Sequence, residues 1–299
     1  MEPRPSIDAF GATSLTAFSA LLASNQVLIK LVNEGLQPIF FAGMRSVAAA
    51  AVVALLMLAR GRPVAFRRRV LWPGLAIGAV FAAEFVCLFL ALDLTTVTRT
   101  SVIFYSMPVW LAVIGHFVLP GERMTRAKGA GLALAFAGVA WAIAMRGEGG
   151  GGSVAGDLLA LGGALGWAGI ALIARGTRFR EVPPDMQILW QLAVSAPILL
   201  VASTFTGPFV RAFEPWMWLP VAALVAISSL GFMFWLWLLT IYPAASVAAF
   251  SFLAPVFGVA LGWGVLGEEV GPSVLVAAAL VVAGLILVNR PAPRAGPAP

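Results

Sequence analysis

The chain has 299 residues, of which 61% are hydrophobic and only 11% charged, with mean hydropathy +0.97 and a formal net charge of +6. A soluble domain carries about 25% charged residues, so this composition excludes a water-soluble fold. A spanning helix takes about 20 residues, and ten of them leave only short loops, with no room for a soluble catalytic domain.

Apolar stretches separated by short polar or Pro/Gly-containing breaks predict spans at 11–32, 36–60, 70–93, 97–119, 125–145, 154–176, 185–206, 215–241, 243–266 and 271–289. Only Tyr242-Pro243 punctuates the run between the eighth and ninth, and Pro disfavours helix in the residue before it. The first span reads as an uncleaved helix, because no small-residue cleavage site follows a short apolar stretch. The segment Arg146–Gly156 contains a Gly run that reads as a flexible linker. The expected organisation is a first five-helix unit over 1–146, a linker over 147–153, a second unit over 154–290 and a Pro-rich disordered tail over 291–299.

The basic residues gather in few loops. Arg60, Arg62, Arg67, Arg68 and Arg69 follow the second span, Arg123, Arg126 and Lys128 the fourth, and Arg175, Arg178 and Arg180 the sixth, with Arg4, Arg290 and Arg294 at the ends. These fourteen oppose Lys30, Arg99, Arg146 and Arg211, and the imbalance sets both termini in the cytoplasm. Single Cys87 forms no internal disulfide and falls inside a span.

An internal repeat is legible. Residues 101–145 and 246–288 share an apolar span, a Pro, a Gly-Glu pair and a second span with a late Gly. Pro108 matches Pro255, Gly121-Glu122 matches Gly267-Glu268, and Gly138 matches Gly284. The first copy continues with basic residues and the second does not, as two copies of opposite orientation require. A duplicated unit of five helices must invert. The expected fold is an all-α integral membrane protein of ten transmembrane helices in two inverted five-helix repeats, with substrate bound between them near the midplane.

Intramembrane ionisable residues mark the candidate site. Glu84, central in the third span, either binds a substrate ammonium or carries a coupling proton, or it pairs structurally with Arg45 of the second span. Arg45 binds a carboxylate or clamps helices. Lys30 and Asp93, near span ends, are gating or interfacial charges. Asn25, Gln26, Tyr105, Ser106, Phe250 and Ser251 are polar or aromatic candidates for orienting a substrate, or ordinary interhelical contacts. Trp167, Trp235 and Trp237 lie deep enough to wall an apolar cavity, whereas Trp72, Trp216 and Trp218 sit at span ends as interfacial anchors. Pro108 and Pro255 are candidate hinges or static bends. His116 is the only histidine and reads as an interface residue or a proton relay. No metal site is expected, since there is one His and one Cys, and no cofactor or nucleic-acid partner is implied.

Residues 23–53, with Ser24-Asn25, Lys30, Pro38 and Arg45, resemble the first two helices of EamA-type transporters of the drug/metabolite transporter superfamily. The Pro-to-Gly-Glu segments and the ten-helix layout are similar to that family too. Ala83–Cys87 and Gly163–Trp167 resemble its bacterial aromatic amino-acid exporter branch, while Met107 stands where that branch implies an aromatic residue before the proline. The resemblance implies an exporter or exchanger of amino acids, other metabolites or drugs in the bacterial inner membrane; the expected partners are a small-molecule substrate and the lipid bilayer, with a monomer one option for the assembly that the sequence does not decide.

A secondary transporter of apolar or aromatic amino acids is therefore the leading expectation, and a proton-coupled multidrug efflux transporter the alternative. A membrane-embedded enzyme is disfavoured, because there is no Asp-rich metal motif and His116 has no evident serine partner. The chain carries no G-x-x-x-x-G-K-[ST] sequence, so an ion or substrate gradient must drive transport.

Overall fold

A computed structural model describes residues 8–119, 125–145, 152–242 and 250–288. The Gly121-Glu122 pair, Pro243, most of the Gly-rich linker, the C-terminal tail, Arg4, Arg123, Arg146, Arg290 and Arg294 lie outside the described residues, as does the Ser251 side chain. The helices are α1 (Ala9–Gly35), α2 (Pro38–Ala59), α3 (Leu71–Leu94), α4 (Val97–Phe104), α5 (Met107–Val118), α6 (Arg126–Ala144), α7 (Val154–Gly176), α8 (Pro184–Ser203), α9 (Trp218–Ala226), α10 (Phe232–Ile241), α11 (Leu253–Leu266) and α12 (Pro272–Val288). Among the described residues, eight segments are long and apolar enough to cross a membrane, counting α4–α5 and α9–α10 as one each, and α11 and α12 are shorter apolar helices in the places of the ninth and tenth expected spans.

Local chemistry sets the helix starts. The side chains of Asp8, Gln37, Thr96, Thr125 and Ser153 accept hydrogen bonds from first-turn N–H groups of α1, α2, α4, α6 and α7, satisfying donors that the helix itself leaves free. Pro38 and Pro184 occupy first-turn positions where no N–H is needed. Gly267 closes α11 in the left-handed conformation at φ 65.

Two spans depart from the continuous helices expected. The fourth breaks at Tyr105-Ser106, and Pro108 sits in the first turn of α5. A proline there cannot donate to the Phe104 carbonyl and its ring crowds it, so the expected bend is a full interruption. Pro255 lies in the first turn of α11, after a 3-10 turn at Phe250–Phe252. The eighth span is interrupted by a π turn at Ile227–Gly231, which buries Ser228 and Ser229 and which apolar periodicity gave no reason to expect.

The duplication is visible in the helix register. Pro38 and Pro184, Met107 and Leu253, and Arg126 and Pro272 open corresponding helices, each pair 146 residues apart. α6 packs along α12, and their contact repeats itself under that offset. A Cβ on Gly131 would lie 2.7 Å from the Gly284 carbonyl oxygen, and one on Gly284 would lie 2.6 Å from that of Gly131. A Cβ on Gly138 would lie 2.9 Å from the Ala277 carbonyl oxygen. Exchanging the repeats turns the first contact into the second, as an inverted duplication about an axis between these helices demands. Without water to drive apolar association, small residues of this kind let membrane helices approach and gain dispersion contacts. α2 pairs with α8 in the same manner, with Gly43 under Leu200 and Ser46 3.3 Å from Ser195.

The other helices form two groups that do not coincide with the sequence repeats. α7, from the second repeat, packs along α3 and against α4 and α5. α1, from the first, packs along α11 and beside α9 and α10. The first helix of each repeat is thus exchanged into the other half, and the site lies where the two groups meet.

Candidate functional site

Asn25, Arg45, Glu84, Tyr105 and Trp167 are brought together from α1, α2, α3, the α4–α5 break and α7. They join a core that also holds Phe85, Phe89 and Phe104. Arg45 is 3% exposed. Its Nη1 donates to Asn25 Oδ1 at 3.1 Å, its guanidinium lies 4.4 Å from the Phe85 ring centroid and 4.8 Å from that of Phe89, and its buried Nε has no partner. Stacking on an aromatic face stabilises a desolvated guanidinium by about 2 kcal/mol. That is less than the several kcal/mol that burying an ion costs, so the site holds a cation with unspent capacity.

Glu84 supplies the opposite charge. It is 5% exposed and within electrostatic reach of Arg45, yet among the described residues the two form no ion pair and the carboxylate accepts no hydrogen bond. Gly166 of α7 lies directly against it. A Cβ there would approach Glu84 Cβ to 2.9 Å, so glycine lets the α7 backbone reach α3 at this level. The adjacent Trp167 stacks on Phe104 at 5.2 Å and meets Tyr105 edge-on at 6.2 Å. The result is two separated, opposite charges beside aromatic rings.

Gln26 is buried next to this group. Its Oε1 accepts from Ser101 Oγ at 2.6 Å, and its Nε2 has no partner. Ser106 Oγ donates to the Ile103 carbonyl at 2.5 Å and accepts from Trp110 Nε1 at 3.0 Å, so its hydroxyl secures the helix break. Trp235 and Phe250 are placed elsewhere. Trp235 stacks on Phe18 at 6.2 Å, and the Phe250 carbonyl accepts from Ser19 Oγ at 3.0 Å, near the start of α1. His116 lies in the last turn of α5 beside Phe117.

At the end of the bundle holding the start of α4, charges tie chain ends together. Lys30 donates to the carbonyls of Leu92 and Thr95 at 3.0 and 2.7 Å, satisfying the last turn of α3. Asp93 takes a two-pronged hydrogen bond from Arg211 at 2.7 and 3.0 Å, which holds that guanidinium above its ordinary pKa. Arg99, counted among the loop charges by sequence, is instead 4% exposed and paired with fully buried Asp157, Nη2 to Oδ2 at 2.6 Å. Its Nη2 also donates to the Ala142 carbonyl, and Thr95 Oγ1 donates to Asp157 at 3.0 Å. Sequence reasoning missed this pair, since Asp157 reads as an ordinary acidic residue of a helix first turn. It also missed Phe85 and Phe89 as partners of Arg45, although Phe81, Phe85 and Phe89 recur at the i, i+4 spacing of a single helix face.

The repeats diverge at the site. At the 146-residue offset, Arg45 corresponds to Gln191 and Glu84 to Leu230, so the symmetric scaffold holds an asymmetric set of charges.

Comparison with known proteins agrees with this architecture. The sequence profile of the EamA-like transporter family matches residues 9–144 and again 154–290. The uncharacterized transporter YvbV of Bacillus subtilis (strain 168) is 29% identical over 259 residues, covering 84% of this chain and 82% of that protein. The uncharacterized transporter YoaV of the same organism is 25% identical over 267 residues, covering 87% and 90%. A solved crystal structure superposes with TM-score 0.65 at 22% identity, over 92% of this chain and 96% of that one, a likeness of fold alone. With two matched repeats spanning nearly its whole length, the chain belongs to the EamA-like transporter family and is a multi-pass membrane transporter.

Proposed function

We propose that the protein is a secondary transporter that exports small amphipathic metabolites, amino acids with apolar or aromatic side chains foremost, by alternating access in the bacterial inner membrane. The observation that carries this reading is the pair of buried, opposite and unjoined charges Arg45 and Glu84 beside the rings of Phe85, Phe89, Phe104, Tyr105 and Trp167. A zwitterion satisfies both ends of such a site at once, with its carboxylate on the guanidinium and its ammonium on the carboxylate, and an apolar side chain suits the rings. Neither charge is then left uncompensated in a low-dielectric medium, where that is most costly. The arginine-rich loops after α2 and α7 support a cytoplasmic placement of that end and of both termini. Pro108 and Pro255, each in the first turn of a restarted helix, suit the role of hinges.

The test is counterflow of labelled phenylalanine and leucine into liposomes holding the purified protein. Phenethylamine and hydrocinnamate, each keeping one of the two charges, serve as competitors. Saturable amino-acid exchange, with both analogues weak competitors, is the expected result. Exchange in which either analogue competes as well as phenylalanine removes the two-charge recognition. No amino-acid exchange, with export of cationic dyes driven by a pH gradient, replaces this reading with multidrug efflux and makes Glu84 the proton carrier.

A further inference from the structure

We propose that Glu268 is the releasable latch joining the two helix groups at the end of the bundle where α4 begins, and that the transport cycle makes and breaks this contact. Glu268 follows α11 in the Gly267-Glu268 pair that the sequence repeat singled out. Its Oε1 accepts from the Val97 N–H at 2.7 Å, and its Oε2 accepts from the Thr98 N–H at 2.8 Å and from Thr98 Oγ1 at 2.7 Å. All three donors belong to the first turn of α4. Free N–H groups and a positive dipole end are what a carboxylate binds best. The contact joins the end of α11 to α4, which packs along α11 as well as against α7 of the other group. Gly262 makes it possible, because a Cβ there would lie 2.5 Å from Thr98 Oγ1 and 2.6 Å from Glu268 Oε2.

Its position distinguishes a latch from a weld. The Arg99–Asp157 pair ties α4 to α7 inside one group and is sealed from solvent, so parting it would strand two ions. Glu268 is only half-buried and sits on a loop beyond the helix end, so water can take over the carboxylate and the α4 N–H groups when they separate. Contacts at the same end also join the two groups. Lys30 reaches the end of α3, Asn33 Nδ2 donates to the Phe89 carbonyl at 2.9 Å, and Asp93 pairs with Arg211. Among these, Glu268 holds the first turn of α4, and the Ser101–Gln26 bond follows one turn further along, towards the Tyr105 break and the site.

The test uses the full chain in liposomes and does not depend on knowing the substrate, so it stands or falls separately from the amino-acid reading. A reporter cysteine replaces Thr100, whose side chain is fully buried on α4 and whose Oγ1 has no partner, in protein carrying Cys87→Ala. Alkylation by a charged, membrane-impermeant maleimide is timed with the reagent on each side. From the side of the α4 N-terminus, Glu268→Gln should raise the rate about tenfold, the shift expected when a charge-assisted contact worth about 1.4 kcal/mol no longer favours the closed form. Thr98→Val, which removes one of the three bonds, should raise it by a smaller factor in the same direction. Unchanged rates in both variants, with monodisperse protein of unaltered melting temperature, overturn the proposal. If Glu268→Gln does not fold, Thr98→Val decides alone. A lowered melting temperature with no change of access in that variant also overturns the proposal, because it marks a purely structural cap.

Discussion

Removing the Asp157 charge should be among the most damaging conservative changes in this protein. Asp157 is fully buried and receives Arg99 through Nε at 3.2 and 3.3 Å and through Nη2 at 2.6 Å, with Thr95 Oγ1 on the same carboxylate. Asp157→Asn keeps the shape and one acceptor but leaves a guanidinium buried without its counter-charge. Breaking one side of a buried pair costs about 3–5 kcal/mol. On the soluble-protein scale of about 2–4 °C per kcal/mol, this corresponds to an apparent melting loss of roughly 10 °C. The second arm is Arg99→Met with Asp157→Leu, which removes both ions and leaves apolar bulk. Because the pair itself contributes little beyond compensating its own desolvation, the double variant should recover most of the loss. The assay is thermal unfolding of the purified protein in one detergent, followed by intrinsic tryptophan fluorescence. An Asp157→Asn loss below about 1 kcal/mol, or a double variant as unstable as the sum of the singles, would refute the reasoning that the cost is an uncompensated charge.

Further outcomes follow from other contacts. Gly131→Val and Gly284→Val should lower the apparent melting temperature by similar amounts, about 1–3 kcal/mol each, because each drives a Cβ into the other's backbone; Gly264→Val, with open space around it, is the control, and unequal losses would argue against a symmetric contact. Gly166→Leu pushes into Glu84 and should abolish transport in the liposome assay while leaving folded protein; retained transport removes Glu84 from the site. Trp167→Ala should weaken the apparent affinity for an aromatic substrate by a factor of about 2–10, the worth of one aromatic pair, with less effect on leucine; an equal effect on both would show packing rather than recognition. Replacing Pro108 and Pro255 together by Ala should slow turnover with little change in apparent affinity, and undiminished turnover would dismiss the hinges.

Several features were legible along the chain because they depend on local chemistry. Span positions follow from apolar length, and the helix starts at Pro38, Thr96, Thr125 and Ser153 from residues that cap or begin helices. Glu84 and Arg45 stood out because few charges occur within spans. The π turn at Ile227–Gly231 was not legible, since two serines and a glycine inside an apolar run are also compatible with a regular helix. Trp235 and Phe250 satisfied the same criteria as Trp167 and Tyr105 yet pack near the start of α1. Depth along a helix and an aromatic side chain do not say which neighbour a face meets.

By itself the sequence determined that the chain crosses a membrane many times, that it is a duplication, and that its copies are inverted. Each of these is written in composition, an offset or a loop charge, and none needs a partner in space. Only the tertiary structure decided that α1 and α7 exchange places between the halves, that Arg99 finds Asp157 fifty-eight residues away, and that Glu268 closes on the first turn of α4. Those are contacts between faces of different helices. In a bilayer every outward face is apolar as well, so hydrophobic pattern cannot distinguish a lipid neighbour from a helix. Small residues and stray charges restrict the choice, but the packing of the whole bundle makes it.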